Sequence, residues 1–357
     1  MAVTENTKQR FFSLDLLKAI SIAAVVSFHS ILVPEASYAS SQVTIEILFS
    51  PLRFCVPIFL TISFLLFHRS LEKHQGSQWD AIKKRLTRIL IPTIFWLGIT
   101  ALLKLNNGNS WFDVGISILK GKIFTGSYYL LVLIQFIPAF VIFRHWLIKP
   151  LNVLTTIAVQ VIIFFWIYTL PSSPNSEQIL VVLRNIDRPL FIYWFVYIAL
   201  GAYFWQNWSS IVKWSDRINW KYKITALIIY SIIQMLEFTR LFTLFSGNIF
   251  PFEYLTFSCI SSVFVMFLCL ASIQEEQLHS SAVYLVKMLS KYSLGIFCIQ
   301  GIICQIFNSI LLRLLPEVSF NLGEIIMIKL TTWFLLLSIS LGLSILLDRI
   351  GLKSVVR

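Results

Sequence analysis

The chain is 357 residues long, 57% hydrophobic, 15% aromatic and only 13% charged. Soluble globular domains carry about 25% charged side chains, so this composition reads as an all-α integral membrane protein. It excludes intrinsic disorder, a disulfide scaffold and a nucleic-acid-binding domain as the whole protein, because the net charge of +12 is scattered in short gaps between apolar runs.

A hydrocarbon core of about 30 Å needs about 20 mostly apolar residues per helix. Ten such runs follow one another: 16–33, 47–67, 89–105, 127–147, 151–170, 188–206, 222–240, 250–274, 292–313 and 325–348. They predict about ten transmembrane helices in a single domain over 1–357, with no soluble C-terminal domain. The apolar run after Lys8 and Arg10 is too long for a cleavable signal core and lacks a small-residue cleavage site. With the N-terminus in the cytoplasm, residues 1–15, 68–88, 144–150, 207–223, 275–291 and 349–357 hold 19 Lys and Arg, and the opposite gaps together with their adjoining span ends hold 7. That imbalance predicts that both termini are cytoplasmic. The five cysteines, Cys55, Cys259, Cys269, Cys298 and Cys304, lie in apolar runs without a CxxC pair and read as core residues. No metal site is expected.

An ionisable side chain near the bilayer centre costs at least about 2.5–3.5 kcal/mol, which makes each one a functional candidate. The first run, SLDLLKAISIAAVVSFHS, carries Asp15, Lys18 and His29. At 100° per residue the three fall along one stripe, with Lys18 and His29 separated by roughly 16 Å of axial rise. Lys18 then sits at the cytoplasmic mouth, where snorkelling to the headgroups is its plain alternative. His29 lies in the outer half, as a functional imidazole or as a satisfied structural histidine. In the second run Arg53 stands between Pro51 and Pro57, residues that bend or break a helix, so it either pairs, faces an aqueous cavity or snorkels outward. Before the third run Lys84, Arg85 and Arg88 cluster, with Arg85 and Arg88 one helical turn apart. Two guanidiniums so placed grip phosphate oxygens well; ordinary cytoplasmic charge is the other reading. The outer gaps contribute Trp111, Tyr128, Tyr129, Asp187 and Arg188, groups that suit a sugar but also an interfacial aromatic belt.

Lys18, ten residues and then His29 resemble the K/R-x10-H motif of the acyltransferase-3 family of polytopic membrane acyltransferases. LDLLKAISIAAVVSFH is similar to that family's opening, and RLTR, Arg85 to Arg88 with Pro92 following, to its RxxR motif. RFCVPIFLTISFLL, YLLVLIQFIPAF, YIALGAYF and YSLGIFCIQ resemble further family segments, so the likeness runs from about residue 11 to about residue 315. Three positions depart from it: Ser63-Phe64 where relatives often have Ser-Gly, Ser127 where many have His, and Gln300 in place of another His.

The resemblance implies transfer of an acyl group, acetyl foremost, from cytosolic acyl-CoA to a hydroxyl of a cell-surface or exported polysaccharide or a lipid-linked sugar. It implies a multi-pass protein of the plasma (inner) membrane that binds no cofactor besides its acyl-CoA donor. On this reading Lys18, Arg85 and Arg88 hold the donor phosphates, and His29 is a general base or a transient acyl carrier. Arg53 stabilises an oxyanion or orients an acidic acceptor. Tyr128 and Tyr129 belong to the substrate side, and Asp15 balances Lys18 or orders the first turn. A transporter or flippase of a lipid-linked glycan is the alternative from another class, and inverted repeats would support it.

Overall fold

The computed structural model of the protein describes residues 11–73, 78–173, 176–314 and 318–357. Lys8 and Arg10, which enter the charge count, and His74 lie outside the described residues. Among the described residues every regular element is helical. The first part of the chain forms α1 (Phe12–Phe28), α2 (Gln42–Phe49), α3 (Cys55–Lys73), α4 (Gln78–Asn106), α5 (Trp111–Leu119) and α6 (Tyr128–Leu147). It continues through α7 (Pro150–Thr169), α8 (Glu177–Ile186), α9 (Phe195–Gln206), α10 (Trp208–Arg217) and α11 (Trp220–Leu244). The last part is α12 (Phe257–Leu270), α13 (Ser280–Lys291), α14 (Ser293–Leu314), α15 (Leu322–Arg349) and α16 (Lys353–Val356).

Each run predicted to span holds a helix, but not all are long. Among the described residues six stretches are long and apolar enough to cross a membrane, including Gln42–Lys73, which joins α2 to α3. The pair α13 and α14 passes the same test only together and is bent by 70°. The remaining helices, α1, α9 and α12, are shorter: 17, 12 and 14 residues.

Burial explains the short ones. Val196, Tyr197, Ile198, Ala199, Leu200 and Ala202 of α9 are all at 0% exposure. A 12-residue helix is only about 18 Å long, yet α9 is walled by protein and need not span alone. Non-helical backbone is tolerated at membrane depth where protein encloses it. That is why the predicted run 188–206 begins as irregular chain and turns helical only at Phe195. Gly201 sets the approach to α3: a Cβ there would lie 2.6 Å from the Thr61 carbonyl oxygen and 3.0 Å from Phe64 Cβ. At Ser63-Phe64, where relatives often have Ser-Gly, the glycine of this close helix contact thus comes from the α9 side. Around this core α4, α7, α11 and α15 turn large apolar side chains outward, including Ile94, Leu154, Leu236 and Phe334. That is the surface a bilayer requires.

One boundary near the candidate site differs from the sequence reading and another matches it. The first run was expected over 16–33, but α1 ends at Phe28 and His29 is the residue after it. Side chains of α15 hold this end of the chain from outside. Trp333 Nε1 donates to the Ala23 oxygen at 2.8 Å, Lys329 Nζ donates to that of Ser27, and Thr332 Oγ1 to that of Ser30. The break around Arg53 follows the two prolines as expected. α2 ends at Phe49, residues 50–54 form a 3-10 turn, and α3 starts at Cys55. The Pro51 carbonyl accepts from Tyr230 Oη at 2.8 Å, and Pro57 sits in the first turn of α3, where no N–H is needed.

Candidate active site

At the N-terminal end of α1 a cavity of about 450 Å³ opens between α1, α3, α4, α6 and the α13–α14 bend. Lys18, Lys84, Arg85, Arg88, Lys291 and Arg357 all line it, and no Asp or Glu among the described residues does. Lys18, Arg85 and Arg88, which the sequence singled out separately, are therefore brought together. Arg85 reaches furthest into the helices, donating from Nη2 to Ser63 Oγ at 3.1 Å and to the Ser63 carbonyl at 3.3 Å. Beyond the cations the wall becomes apolar, with Val25, Val56, Phe59, Leu130, Leu133 and Phe297. Tyr129 shares this lining. Asp15 is buried beside the cavity and accepts from Ser290 Oγ, which ties α1 to α13.

A second cavity of about 350 Å³ lies at the other end of α1, and His29 lines it together with Arg53 and Arg188. Carboxylates lie opposite them: Glu35, Glu46 and Glu253, with Phe28, Phe250 and Tyr254 as aromatic walls. The backbone of His29 is fixed, its carbonyl accepting from Cys304 Sγ at 3.2 Å. Its ring is half-buried and faces the cavity edge, within reach of the charges of Arg188, Lys329 and Arg53. Lys329 is held over the Phe49 ring at 4.5 Å and donates to the last turn of α1, where a cation opposes the helix dipole favourably.

Arg53 is buried and donates to Glu46 Oε2 at 2.9 Å. Its guanidinium lies 4.4 Å from the Phe238 ring centre and 4.8 Å from that of Phe28, a sandwich that fixes its plane. Arg188 pairs with Glu253 and lies over the Phe250 ring at 4.7 Å and the Tyr128 ring at 5.3 Å. The turn that presents it is built firmly. Trp194 Nε1 donates to the Arg188 carbonyl at 2.7 Å, and Asp187 pairs with Lys122 at 2.6 Å. Asp187 also holds φ 67° and ψ −163°, a conformation usually left to glycine. The Nε atoms of both arginines are buried without a hydrogen-bond partner among the described residues.

Tyr128 and Tyr129 open α6 and stand between the cavities, Tyr129 on the cationic side and Tyr128 stacked on Trp194 at 5.9 Å beneath Arg188. Two of the three departures from the family pattern are quiet here. Ser127 is fully buried, and its Oγ accepts from the Phe124 N–H at 3.4 Å. Gln300 is fully buried and folds back on its own helix, Nε2 donating to the Phe297 carbonyl at 3.2 Å. Among the described residues no group of three or more His, Cys, Asp or Glu could hold a metal.

Across both ends of this arrangement, residues 11–349 match the family model described as an acyltransferase domain. The chain belongs to the acyltransferase-3 family. Neither the curated proteins nor the solved structures yield a match to it. For this acyltransferase-3 member, sequence reasoning missed Lys291 and Arg357, which it counted only as cytoplasmic charge. It also passed over the Arg188–Glu253 pair and Glu46. A signal for the pair was available, since Arg188 and Glu253 both fall inside predicted spanning runs.

Proposed function

We propose that this acyltransferase-3 member moves an acyl group, acetyl foremost, from cytosolic acyl-CoA to a hydroxyl of an exported or cell-surface glycan or a lipid-linked sugar. The chain crosses the plasma (inner) membrane about ten times, with both termini and the cationic cavity on the cytoplasmic side. One observation carries the reading: the two cavities approach one another. Val25 lines the first and Phe28 and His29 line the second; Val56 lines the first and Arg53 the second. Along two separate stretches of chain the linings of the two cavities therefore come within three residues of one another.

The donor phosphates meet Lys18, Arg85 and Arg88, and the narrow pantetheine arm runs along the apolar wall toward Tyr129. The acceptor enters from the opposite cavity. His29 takes the acceptor hydroxyl proton as that oxygen bonds to the thioester carbonyl carbon. The carbon–sulfur bond breaks, and the leaving thiolate receives the proton from His29. Arg53 and Tyr128 flank the position where negative charge develops on the carbonyl oxygen. Asp15 supports the cytoplasmic end through Ser290.

The test is transfer from labelled acetyl-CoA in membranes carrying the intact chain or His29→Ala at equal expression, with label counted in glycan and lipid fractions. Label with the intact chain and at least about a hundredfold less with the variant is expected. Equal label would reduce His29 to a structural residue.

A further inference from the structure

The cations of the first cavity come in two groups with different anchoring. Lys84, Arg85 and Arg88 project from one helix, α4. Lys291 and Arg357 come from the ends of α13 and α16 and are gathered by a single carboxylate. Arg357 donates to Asp348 Oδ1, and Lys291 Nζ lies 3.6 Å from Asp348 Oδ2. Tyr292 Oη donates to that same oxygen at 2.5 Å and accepts from Lys291 Nζ at 2.9 Å. Two cationic side chains thus share one carboxylate side chain at the cavity mouth.

The fold goes to some length to hold that group. The Val355 carbonyl accepts from Trp96 Nε1 at 2.8 Å, and Val356 is at 0% exposure. A Cβ on Gly295 would lie 2.9 Å from Val356 Cβ, so the short helix fits against α14 only over a glycine. Charge serving only to keep a loop in the cytoplasm needs no such seat. Lys291 and Arg357 keep 34% and 29% of their side-chain surface exposed, and Lys84 and Arg88 are exposed as well, while Arg85 is half-buried and drawn inward to Ser63. Along coenzyme A, starting from the thioester, the pyrophosphate comes first and the ribose 3′-phosphate last. A thioester directed toward His29 leaves the 3′-phosphate at the mouth.

We propose that Lys291 and Arg357, oriented by Asp348, bind the ribose 3′-phosphate of the donor, an inference that rests on reading this cavity as the acyl-CoA site. Arg357 and Lys291 are binding residues here, and Asp348 is a positioning residue.

The experiment compares binding of coenzyme A and 3′-dephospho-coenzyme A, by calorimetry, to the full chain in phosphatidylcholine nanodiscs. Charge-assisted hydrogen bonds of this kind are worth about tenfold in affinity or more, so the intact protein should prefer coenzyme A by about that factor. Arg357→Gln and Asp348→Asn should bind both compounds alike, at the dephospho level, whereas Arg85→Gln should weaken both and keep the preference. An undiminished preference in Arg357→Gln would overturn the proposal and leave the donor reading intact. An intact protein that binds neither compound would overturn the donor reading and the proposal with it. The same variants on phosphatidylglycerol vesicles separate a lipid headgroup from the coenzyme. Weaker vesicle binding beside an unchanged coenzyme preference would assign Arg357 to lipid and overturn the proposal.

Discussion

A guanidinium taken out of water must be paired and oriented or its cost is prohibitive, and Arg53 meets that demand with one carboxylate and a pair of aromatic rings. Its commitment to Glu46 leaves it poorly placed to recognise an acidic acceptor and better placed to face charge that develops during reaction. Lysine in that position keeps the charge but loses both the fork and the stacking. Arg53→Lys should therefore lower acyl transfer by about tenfold or more, while coenzyme A binding, measured separately at the other cavity, stays within about twofold. A parallel loss of coenzyme binding would show that the cavities do not divide the work as argued. His29 teaches a complementary point. Its candidacy was legible from its place in an apolar run, but its position just beyond the helix end was not. That end is held by Lys329, Thr332 and Trp333, some 300 residues away in the chain.

Among the helices, α9 is one whose sequence misleads about its length. An apolar run with aromatic ends reads as a full span, yet only Phe195–Gln206 is helical, enclosed by its neighbours. Its seat on α3 hangs on Gly201, where an added methyl meets backbone atoms that cannot swing aside. Gly201→Ala should destabilise the detergent-solubilised protein by about 1–3 kcal/mol, as overpacking does, and thermal unfolding measures it. Gly98, on α4, has nothing within 4 Å of an added Cβ. Gly98→Ala should be neutral or raise the melting temperature, since alanine favours a helix interior over glycine by about 1 kcal/mol. Equal behaviour of the two variants would contradict the close contact.

The molecule as a whole sorts its charge by end. Lys18, Arg85, Arg88, Lys291 and Arg357 meet around one cavity and His29, Arg53 and Arg188 around the other, with α1 running between them. Sidedness can be read directly because all five native cysteines are buried, so an impermeant maleimide reports only introduced thiols. Tyr284→Cys, at an exposed site on α13, should be labelled only after intact cells are opened. Trp111→Cys, exposed at the start of α5, should be labelled in intact cells. The reverse pattern would invert the orientation and put the cationic cavity out of reach of cytosolic donor.

Composition and the spacing of apolar runs determined by themselves that this is a helical membrane protein, because a bilayer penalises exposed polar backbone wherever it occurs. Local spacing likewise determined that Arg85 and Arg88 lie one turn apart on a helix, which follows from a turn of fixed pitch, whereas the stripe expected from Lys18 to His29 is not continuous because α1 ends at Phe28. Only the tertiary structure decided that RLTR faces Lys18 across a cavity and that Arg188 joins Glu253 beside His29. It also decided that Arg357 returns to the mouth that Lys18 opens. Those pairings bring together residues far apart in the chain, and their energies depend on packing around buried charge. Such packing leaves no periodic trace in the sequence.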